Sequence, residues 1–359
     1  MTPIRVLICD DSALMRRSLK KIVESDSRLE VIATARDGED AVNKARDLHP
    51  DVVTMDVNMP GMDGISALQI IIHEKIAPVL MVSSLTQEGA IVTFEALALG
   101  AFDYIPKPGG TVSADMGAVQ QEIIRKIIAA ARPGVLRKLR RTSGDGESGK
   151  KTGSQKRILS PQKRNTGRGY GFKAVAIGIS TGGPKTLFEV LPALPADLPA
   201  AVFVVQHMPR RFTRPFVERI GKSCAMPCCE SEPAMEVRPG CIYLAKGGQH
   251  LILSKRPGGK IVLRTPKKPD TLFIPSVNVM MHSVLQIFGS DTVGILMTGM
   301  GDDGAEAMCS IRASGGRTIA ESEESAIVFG MPRAAIEKGG VQIIAPSWKI
   351  ADEIVRALC

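Results

Sequence analysis

The sequence predicts an α/β protein with two domains, each built on a parallel sheet, and three observations support this prediction. The chain has 359 residues, which is enough for two domains that each bury a core. In both halves short apolar strands alternate with amphipathic helical stretches, the pattern of a parallel sheet covered by helices. Between the halves, residues 132–171 are rich in Gly, Ser, Lys and Arg and lack periodicity. We therefore expect domains at 1–131 and 172–359, joined by a flexible basic linker.

The net charge of +9 is concentrated in the linker. Residues 1–131 carry a net charge of −5, residues 132–171 of +10 and residues 172–359 of +4. The excess therefore lies on one short segment rather than on a folded face, and we expect no nucleic-acid partner. We interpret the linker as a tether, with electrostatic docking of an acidic partner as the alternative.

The predicted compartment is the cytoplasm. The longest apolar runs are too short to cross a bilayer, so we expect no membrane insertion. The N-terminus reaches two aspartates by residue 11 and lacks the apolar core of a secretory signal. The cysteines cluster at Cys224, Cys228 and Cys229, but no histidine or second cysteine pair lies at zinc spacing, so we expect reduced thiols.

The predicted strands of the N-terminal half end in residues suited to phosphate and metal chemistry. These strands are IRVLIC, VIATA, VVTMD, VLMVSS and AFDYI. The first runs into Asp10 and Asp11, the third ends at Asp56, the fourth reaches Ser83, and Lys107 follows the fifth. Because the carboxyl ends of parallel strands meet at one edge, these five side chains are expected to share a pocket.

Three crowded carboxylates repel one another unless a cation joins them, and hard oxygen ligands suit Mg²⁺. A metal-bound aspartate beside a lysine can accept a phosphoryl group, because both cations neutralise the charge on its oxygens. Aspartates also follow strands as turn or helix-cap residues. The complete set in this order favours the phosphate acceptor.

These segments resemble the receiver domain of two-component signalling, through ICDDSALMR, DVVTMDVNMPGMDG, MVSS and YIPKP. The resemblance covers residue 4 to about 130 and implies a flavodoxin-like fold with a five-stranded parallel sheet. It implies that a histidine kinase phosphorylates Asp56. It assigns the Mg²⁺ ligands to Asp10, Asp11, Asp56 and the backbone carbonyl of Asn58. It also implies phosphoryl contacts from Ser83 and Lys107, and a switch aromatic at Tyr104.

In the C-terminal half, the stretch AIGISTGGPKTL places Ser180 in a G-x-S-x-G motif between a strand and a helix. Such a turn exposes a nucleophilic serine in many hydrolases. A glycine-rich turn at a helix N-terminus also binds phosphate, although the dinucleotide and Walker spacings are absent. The motif alone leaves both alternatives open.

A nucleophilic serine needs a base, and the base needs an orienting carboxylate. His207 follows the strand AAVFVVQ at the same predicted sheet edge as Ser180, so it is the best-placed base. His250 precedes a strand and His282 lies in a helical stretch, positions more typical of structural histidines.

For the acid, Asp302 and Asp303 follow the strand VGILMTG and reach the same edge. The order Ser…His…Asp differs from the Ser…Asp…His order of α/β-hydrolases, which would require a pair such as Asp270 with His282. A triad is defined by geometry rather than by order, so the difference argues against that family and not against catalysis.

Residues 174–357 resemble the CheB methylesterase domain of chemotaxis, through IGISTGGPKTL, VVQHMPRRFTRPFVERI, PSVNVMMHSV and MTGMGDDGAEAM. The resemblance implies a doubly wound α/β fold with Ser180 as nucleophile, His207 as base and Asp303 as acid. It makes the Met300 amide an expected oxyanion donor. The sequence departs from the usual family pattern at Lys246, where proline is common, and at Asn278, where aspartate is common.

The implied activity is hydrolysis of glutamyl methyl esters on chemoreceptors, with deamidation of receptor glutamines and no cofactor for the esterase step. The implied partners are a chemotaxis histidine kinase and the receptors themselves. The acidic receiver and the more basic catalytic domain suggest that the receiver covers Ser180 until Asp56 is phosphorylated. The alternatives are a receiver-controlled DNA-binding regulator and a catalytically inactive docking module.

Overall fold

The computed structural model describes residues 2–84, 86–107, 116–136, 138 and 170–359. The chain divides into two compact units, residues 1–143 and 144–359. Most of the basic segment 132–171 lies outside the described residues, so its function as a tether stays a prediction. None of the described helices is long and apolar enough to cross a membrane.

The first unit is a five-stranded parallel sheet with the strand order β2-β1-β3-β4-β5. Its strands are β1 (Ile4–Cys9), β2 (Leu29–Ala35), β3 (Val52–Asp56), β4 (Val79–Ser83) and β5 (Asp103–Pro106). Strands β3 and β4 are buried throughout, as expected where helices cover both faces. The strand order reverses between β1 and β3, so the site-forming edge lies beyond the ends of these two strands.

Polar N-cap residues begin four of the helices of this unit. The helices are α1 (Ala13–Val23), α2 (Gly38–Leu48), α3 (Gly64–His73), α4 (Gln87–Ala98) and α5 (Met116–Ala130). The caps of the first four are Ser12, Asp37, Asp63 and Thr86, whose side chains accept a backbone N–H three residues on. These caps fix where each strand-to-helix loop ends.

The second unit contains a seven-stranded parallel sheet with the order β14-β13-β12-β6-β7-β9-β8. The strands of this sheet are β6 (Lys173–Ile179), β7 (Ala200–Gln206), β8 (Cys228–Glu230), β9 (Ile242–Leu244), β12 (Thr292–Leu296), β13 (Arg317–Glu321) and β14 (Ile343–Ala345). Strands β10 (Ile252–Lys255) and β11 (Ile261–Arg264) form a separate antiparallel hairpin.

Six helices of the described residues accompany this sheet. They are α6 (Gly183–Val190), α7 (Arg210–Gly221), α8 (Val277–Phe288), α9 (Ala305–Ala313), α10 (Met331–Glu337) and α11 (Ser347–Leu358). The first strand of this sheet in sequence is β6, and later strands are added on both sides of it. The strand order therefore reverses beside β6, which creates a crevice at the carboxyl end of this strand. A helix-turn-helix module would be mostly helical, so this sheet argues against the DNA-binding alternative.

Candidate active site

Ser180 lies on a tight turn between β6 and α6. Gly182 begins this helix with a φ of +75°, a left-handed conformation that glycine adopts without strain. A Cβ at Gly183 would lie 2.0 Å from Gln206 Oε1, so a side chain does not fit there. Pro184 occupies the first turn of α6, where no intrahelical N–H is needed. The turn leaves Ser180 partly exposed at the end of a buried strand.

His207 follows β7 directly and reaches both of its predicted partners. Its Nδ1 lies 3.2 Å from Ser180 Oγ, and its Nε2 lies 2.9 Å from Asp303 Oδ2. The two ring nitrogens therefore have the reverse roles of those in chymotrypsin, where Nε2 faces the serine. Because a carboxylate only accepts, Asp303 holds the proton on Nε2 and leaves the Nδ1 lone pair toward Ser180.

The carboxylate of Asp303 lies against the N-terminus of α8. Its Oδ1 accepts from Ser276 Oγ at 2.9 Å and from the Asn278 N–H at 3.0 Å, while Oδ2 accepts from the Val277 N–H at 2.7 Å. Burial alone would raise the pKa of Asp303, but the hydrogen bond and charge of His207 and the two amides outweigh it, so the pKa is lowered. The carboxylate therefore stays ionised and keeps the imidazole oriented.

The loop after β12 passes beside Ser180. A Cβ on Gly299 would lie 2.9 Å from Ser180 Cβ, which places the Met300 amide close to the site. Among the described residues, the N–H groups of Met300 and Thr181 have no hydrogen-bond acceptor. Backbone amides beside a nucleophile form the oxyanion holes of serine hydrolases. Met300 is thus placed suitably for its predicted role, and Thr181 is a second candidate that sequence analysis missed.

Three buried polar residues that sequence analysis also missed support the turn at Ser180. Gln206 donates from Nε2 to the carbonyl oxygens of Ser180 and His207, at 2.9 and 3.0 Å. The Ser180 N–H donates to the Thr298 carbonyl at 2.9 Å. Fully buried Glu321 in turn accepts from the Thr298 N–H at 2.7 Å. The available signal was a polar residue ending an apolar strand, as Gln206 does in AAVFVVQ.

The pair needed for the α/β-hydrolase order has other surroundings. Asp270 pairs with Lys268 on an exposed segment, and His282 is exposed on α8. His250 is fully buried, and both of its ring nitrogens bind backbone groups. Among the described residues, Ser180 forms no hydrogen bond with any of these three.

The two departures from the family pattern have structural roles near the site. The Asn278 side chain accepts the Ala307 N–H through Oδ1 at 3.0 Å, which ties the start of α9 to that of α8. Lys246 Nζ lies 3.5 Å from Glu230 Oε2, and its backbone N–H donates to Ser231 Oγ. Neither side chain displaces a member of the Ser180–His207–Asp303 arrangement.

In the first unit, the expected acidic pocket forms at the carboxyl ends of β1 and β3. Carboxylate oxygens of Asp10, Asp11 and Asp56 lie within 4.8 Å of one another. Lys107 Nζ lies 2.7 Å from Asp56 Oδ2 and 3.4 Å from Asp10 Oδ2. Burial raises the pKa of Asp56 and of Asp10 above the usual value, and Lys107 opposes this shift.

The other predicted phosphoryl-site residues lie in β4, in β5 and in the loop after β3. Ser83 is buried at the end of β4, where its hydroxyl contacts the Gly89 carbonyl at 3.2 Å. Tyr104 is buried in β5, with Lys126 Nζ 4.8 Å from its ring centroid. Asn58 is exposed two residues after Asp56. Their assigned roles stay predictions.

The donor set of this pocket fits Mg²⁺. All three side chains offer hard carboxylate oxygens, which Mg²⁺ prefers. Within the described chain, Asp10 Oδ2 is buried and has only the Lys107 ammonium, 3.4 Å away, as a polar partner, so it retains coordinating capacity. Asp11 is exposed and leaves one side of the cluster open to solvent, as an ion that keeps several waters requires.

Comparisons with known proteins match each unit to a known family. The CheB methylesterase family matches residues 175–354, and the response regulator receiver domain matches residues 6–113. A protein of Syntrophomonas wolfei named protein-glutamate methylesterase/protein-glutamine glutaminase 3 is 55% identical over 99% of both chains. A protein of Pyrococcus abyssi with the name protein-glutamate methylesterase/protein-glutamine glutaminase is 43% identical over 99% of this chain and 94% of its own.

One solved structure supports the fold of the second unit. The CheB methylesterase catalytic domain of Thermotoga maritima is 36% identical, with a TM-score of 0.50. The match covers 52% of this chain and 98% of that domain. The similarity therefore extends across that whole catalytic domain.

Proposed function

Since this chain belongs to the CheB methylesterase family, we propose that Ser180, His207 and Asp303 are the catalytic triad of a protein-glutamate methylesterase. Its substrates are γ-glutamyl methyl esters on chemoreceptors, and it also deamidates receptor glutamines. The observation that carries the proposal is the continuous relay from Ser180 Oγ to His207 Nδ1 at 3.2 Å and from Nε2 to Asp303 at 2.9 Å.

In the acylation step, Ser180 Oγ attacks the ester carbonyl while its proton moves to His207 Nδ1. Asp303 remains ionised and stabilises the imidazolium through Nε2–H. The Met300 amide donates to the oxyanion of the tetrahedral intermediate, a contribution of about 10²–10³ in rate for one donor. Collapse breaks the bond to the methoxy oxygen, which leaves as methanol with the proton from Nδ1.

In the deacylation step, a water molecule attacks the acyl-serine and gives its proton to His207 Nδ1. The intermediate then releases the glutamic acid side chain as the Nδ1 proton returns to Ser180 Oγ, and the acid loses its proton to solvent to give glutamate. With a glutamine substrate the acylation step is the same, but ammonia leaves in place of methanol. Both reactions yield glutamate from one set of side chains.

The receiver unit controls this activity by phosphorylation, with Asp56 as the proposed acceptor and a chemotaxis histidine kinase as the proposed donor. Asp10, Asp11, Asp56 and the Asn58 carbonyl would hold Mg²⁺, which supplies charge neutralisation for the phosphoryl oxygens when bound. Lys107 contributes a second positive charge, since its ammonium already contacts Asp56 Oδ2. Ser83 and Tyr104 are the residues proposed to respond to the modified aspartate.

The direct test measures methanol released from methylated chemoreceptor membranes by the full chain. We expect Ser180→Ala and His207→Ala to reduce release to the level without enzyme, whereas His282→Ala, an exposed histidine, retains the wild-type rate. The same preparations should show matched loss of ammonia release from receptors with glutamine at these sites. Undiminished methanol release by Ser180→Ala would exclude the proposed nucleophile.

A further inference from the structure

The imidazole of His207 has an aromatic ring lying against its face. The ring centroids of Phe273 and His207 are 4.2 Å apart, and the two planes differ by only 12°. Ser180 and Asp303 contact the two ring nitrogens, which lie at the edge of the imidazole. Phe273 therefore contacts the part of the base that neither triad partner touches.

Phe273 belongs to residues 266–276, a segment without helix or strand that we call the strap. Fully buried His250 binds the strap at three points: its backbone N–H donates to the Pro266 carbonyl at 2.8 Å, its Nε2 lies 2.9 Å from the Pro269 carbonyl, and its Nδ1 accepts the Ser276 N–H at 3.2 Å. The Gly248 N–H also donates to the Ile274 carbonyl at 2.9 Å. The position of Phe273 is thus set by backbone hydrogen bonds on either side of it.

The strap also carries a contact to the acid of the triad. Ser276, its last residue, donates from Oγ to Asp303 Oδ1 at 2.9 Å. One short segment therefore touches both the base and the acid. In contrast, the side chain next to Phe273, Leu272, is 78% exposed and turned to solvent.

We propose that Phe273 is a positioning residue for His207, holding the imidazole in the plane that joins Ser180 Oγ to Asp303 Oδ2. This inference rests on the proposed triad. Rotation of the imidazole about its Cβ–Cγ bond would swing Nδ1 away from Ser180. A flat aromatic neighbour restricts this rotation. Its π face also favours the imidazolium that forms during acylation, since aromatic faces attract cations. Both effects act on kcat rather than on substrate binding.

The test compares four full-chain variants in methanol release from methylated receptor membranes. Phe273→Ala removes the ring, Phe273→Leu keeps an apolar side chain without a π face, and Phe273→Tyr keeps the ring. Leu272→Ala, the exposed neighbour on the strap, is the matched control. We expect kcat to fall about tenfold or more for Phe273→Ala and Phe273→Leu, with KM within about twofold. Phe273→Tyr and Leu272→Ala should stay within about twofold of wild type.

A second readout needs no receptor. The rate at which an alkyl phosphonofluoridate labels Ser180, followed by intact mass, should fall in parallel with kcat. Thermal unfolding of each variant separates a folding defect from a catalytic one. If Phe273→Ala does not fold, Phe273→Leu still provides the test. A wild-type labelling rate in Phe273→Leu, or a change in KM alone, would overturn the positioning role. Labelling that survives in Ser180→Ala would instead refute the proposed triad, whatever the Phe273 variants show.

Discussion

Among single residues, the acid of the proposed triad can be tested with its own neighbour as control. Asp303 is buried and accepts hydrogen bonds from His207 and the start of α8, whereas Asp302 is exposed and pairs with Lys338 at 3.3 Å. Asp303→Asn places an amide N–H among donors and removes the charge that stabilises the imidazolium. We expect kcat for methanol release to fall about 10³–10⁴-fold, as in other triads.

Asp302→Asn should keep the wild-type rate, since it removes only a surface ion pair. Equal rates for the two variants would show that the carboxylate of Asp303 does not act on His207. Melting temperatures of both proteins provide the check that each is folded at the assay temperature.

The buried lysine of α6 gives a pH-dependent prediction. Burial lowers the pKa of Lys185 from its usual 10.5 to about 8, against the opposing charge of Glu189. Between these values the folded chain binds fewer protons than the unfolded chain, so stability attributable to Lys185 rises with pH. The shift corresponds to about 3 kcal/mol between pH 8 and 10.5.

The measurement is urea unfolding of wild type and Lys185→Met at pH 7, 8, 9 and 10.5. The difference in unfolding free energy, wild type minus variant, should increase across the upper part of this range and be level below pH 8. A constant difference at all four pH values would contradict the lowered pKa.

At the scale of an element, the turn between β6 and α6 depends on a glycine in a backbone conformation that other residues rarely adopt. Gly182 has a φ of +75°, and a Cβ there would lie 2.8 Å from the Ile327 side chain. Gly258, in the β10–β11 turn, has a φ of +87° but open space around it. Alanine at either site costs about 1–2 kcal/mol of backbone strain. Only Gly182→Ala also displaces the Ser180 turn, so its kcat should fall about 10²-fold.

The comparison of Gly182→Ala with Gly258→Ala therefore separates general destabilisation from misplacement of the nucleophile. Both variants should melt at lower temperature, while only the first loses methanol release at a temperature where both remain folded. Similar activities in the two variants would show that the position of Ser180 does not depend on a glycine at position 182.

Periodicity predicted the strands at the centre of each sheet, but it missed both edge strands of the second sheet. Strands β1, β3, β6, β7 and β12 are apolar runs that lead to candidate site residues, and each contains a segment predicted from sequence. Strands β8, β11, β13 and β14 were not predicted. β14 has only three residues and lies at a sheet edge, where one side lacks a strand partner. Strands β13 and β14 form because β13 pairs with the already formed β12 and β14 then pairs with β13. This pairing depends on tertiary structure and leaves no local pattern in the sequence.

For the whole molecule, phosphorylation of the first unit should govern activity in the second. We expect a small phosphodonor such as acetyl phosphate, with Mg²⁺, to raise methanol release by the full chain about tenfold, as a shift between two states of unequal activity. Asp56→Asn should keep the basal rate and not respond. Asp63→Asn is the matched control, because asparagine caps α3 as aspartate does.

The readouts are incorporation of phosphate by mass and methanol release in the same sample. Wild type and Asp63→Asn should both gain mass and activity. Activation of Asp56→Asn by the phosphodonor would locate the acceptor at another residue. Phosphorylation of wild type without activation would separate the receiver from control of the esterase.

The sequence by itself determined the two parallel-sheet units and the polar residues that end their strands. It could do so because hydrophobic periodicity and glycine-rich turns are local properties of the chain. It also identified Ser180, His207 and Asp303 as candidates, although the motif around Ser180 alone did not distinguish a nucleophile from a phosphate-binding turn.

Only the tertiary structure decided how these residues act on one another. It assigned Nδ1 of His207 to Ser180, placed Asp303 on the amides of α8 and set Phe273 against the imidazole. These contacts join residues that lie far apart in sequence, and they depend on strand order, loop path and side-chain orientation. The physical reason is that local pattern fixes which elements form, whereas the distances within a site are set by how those elements pack.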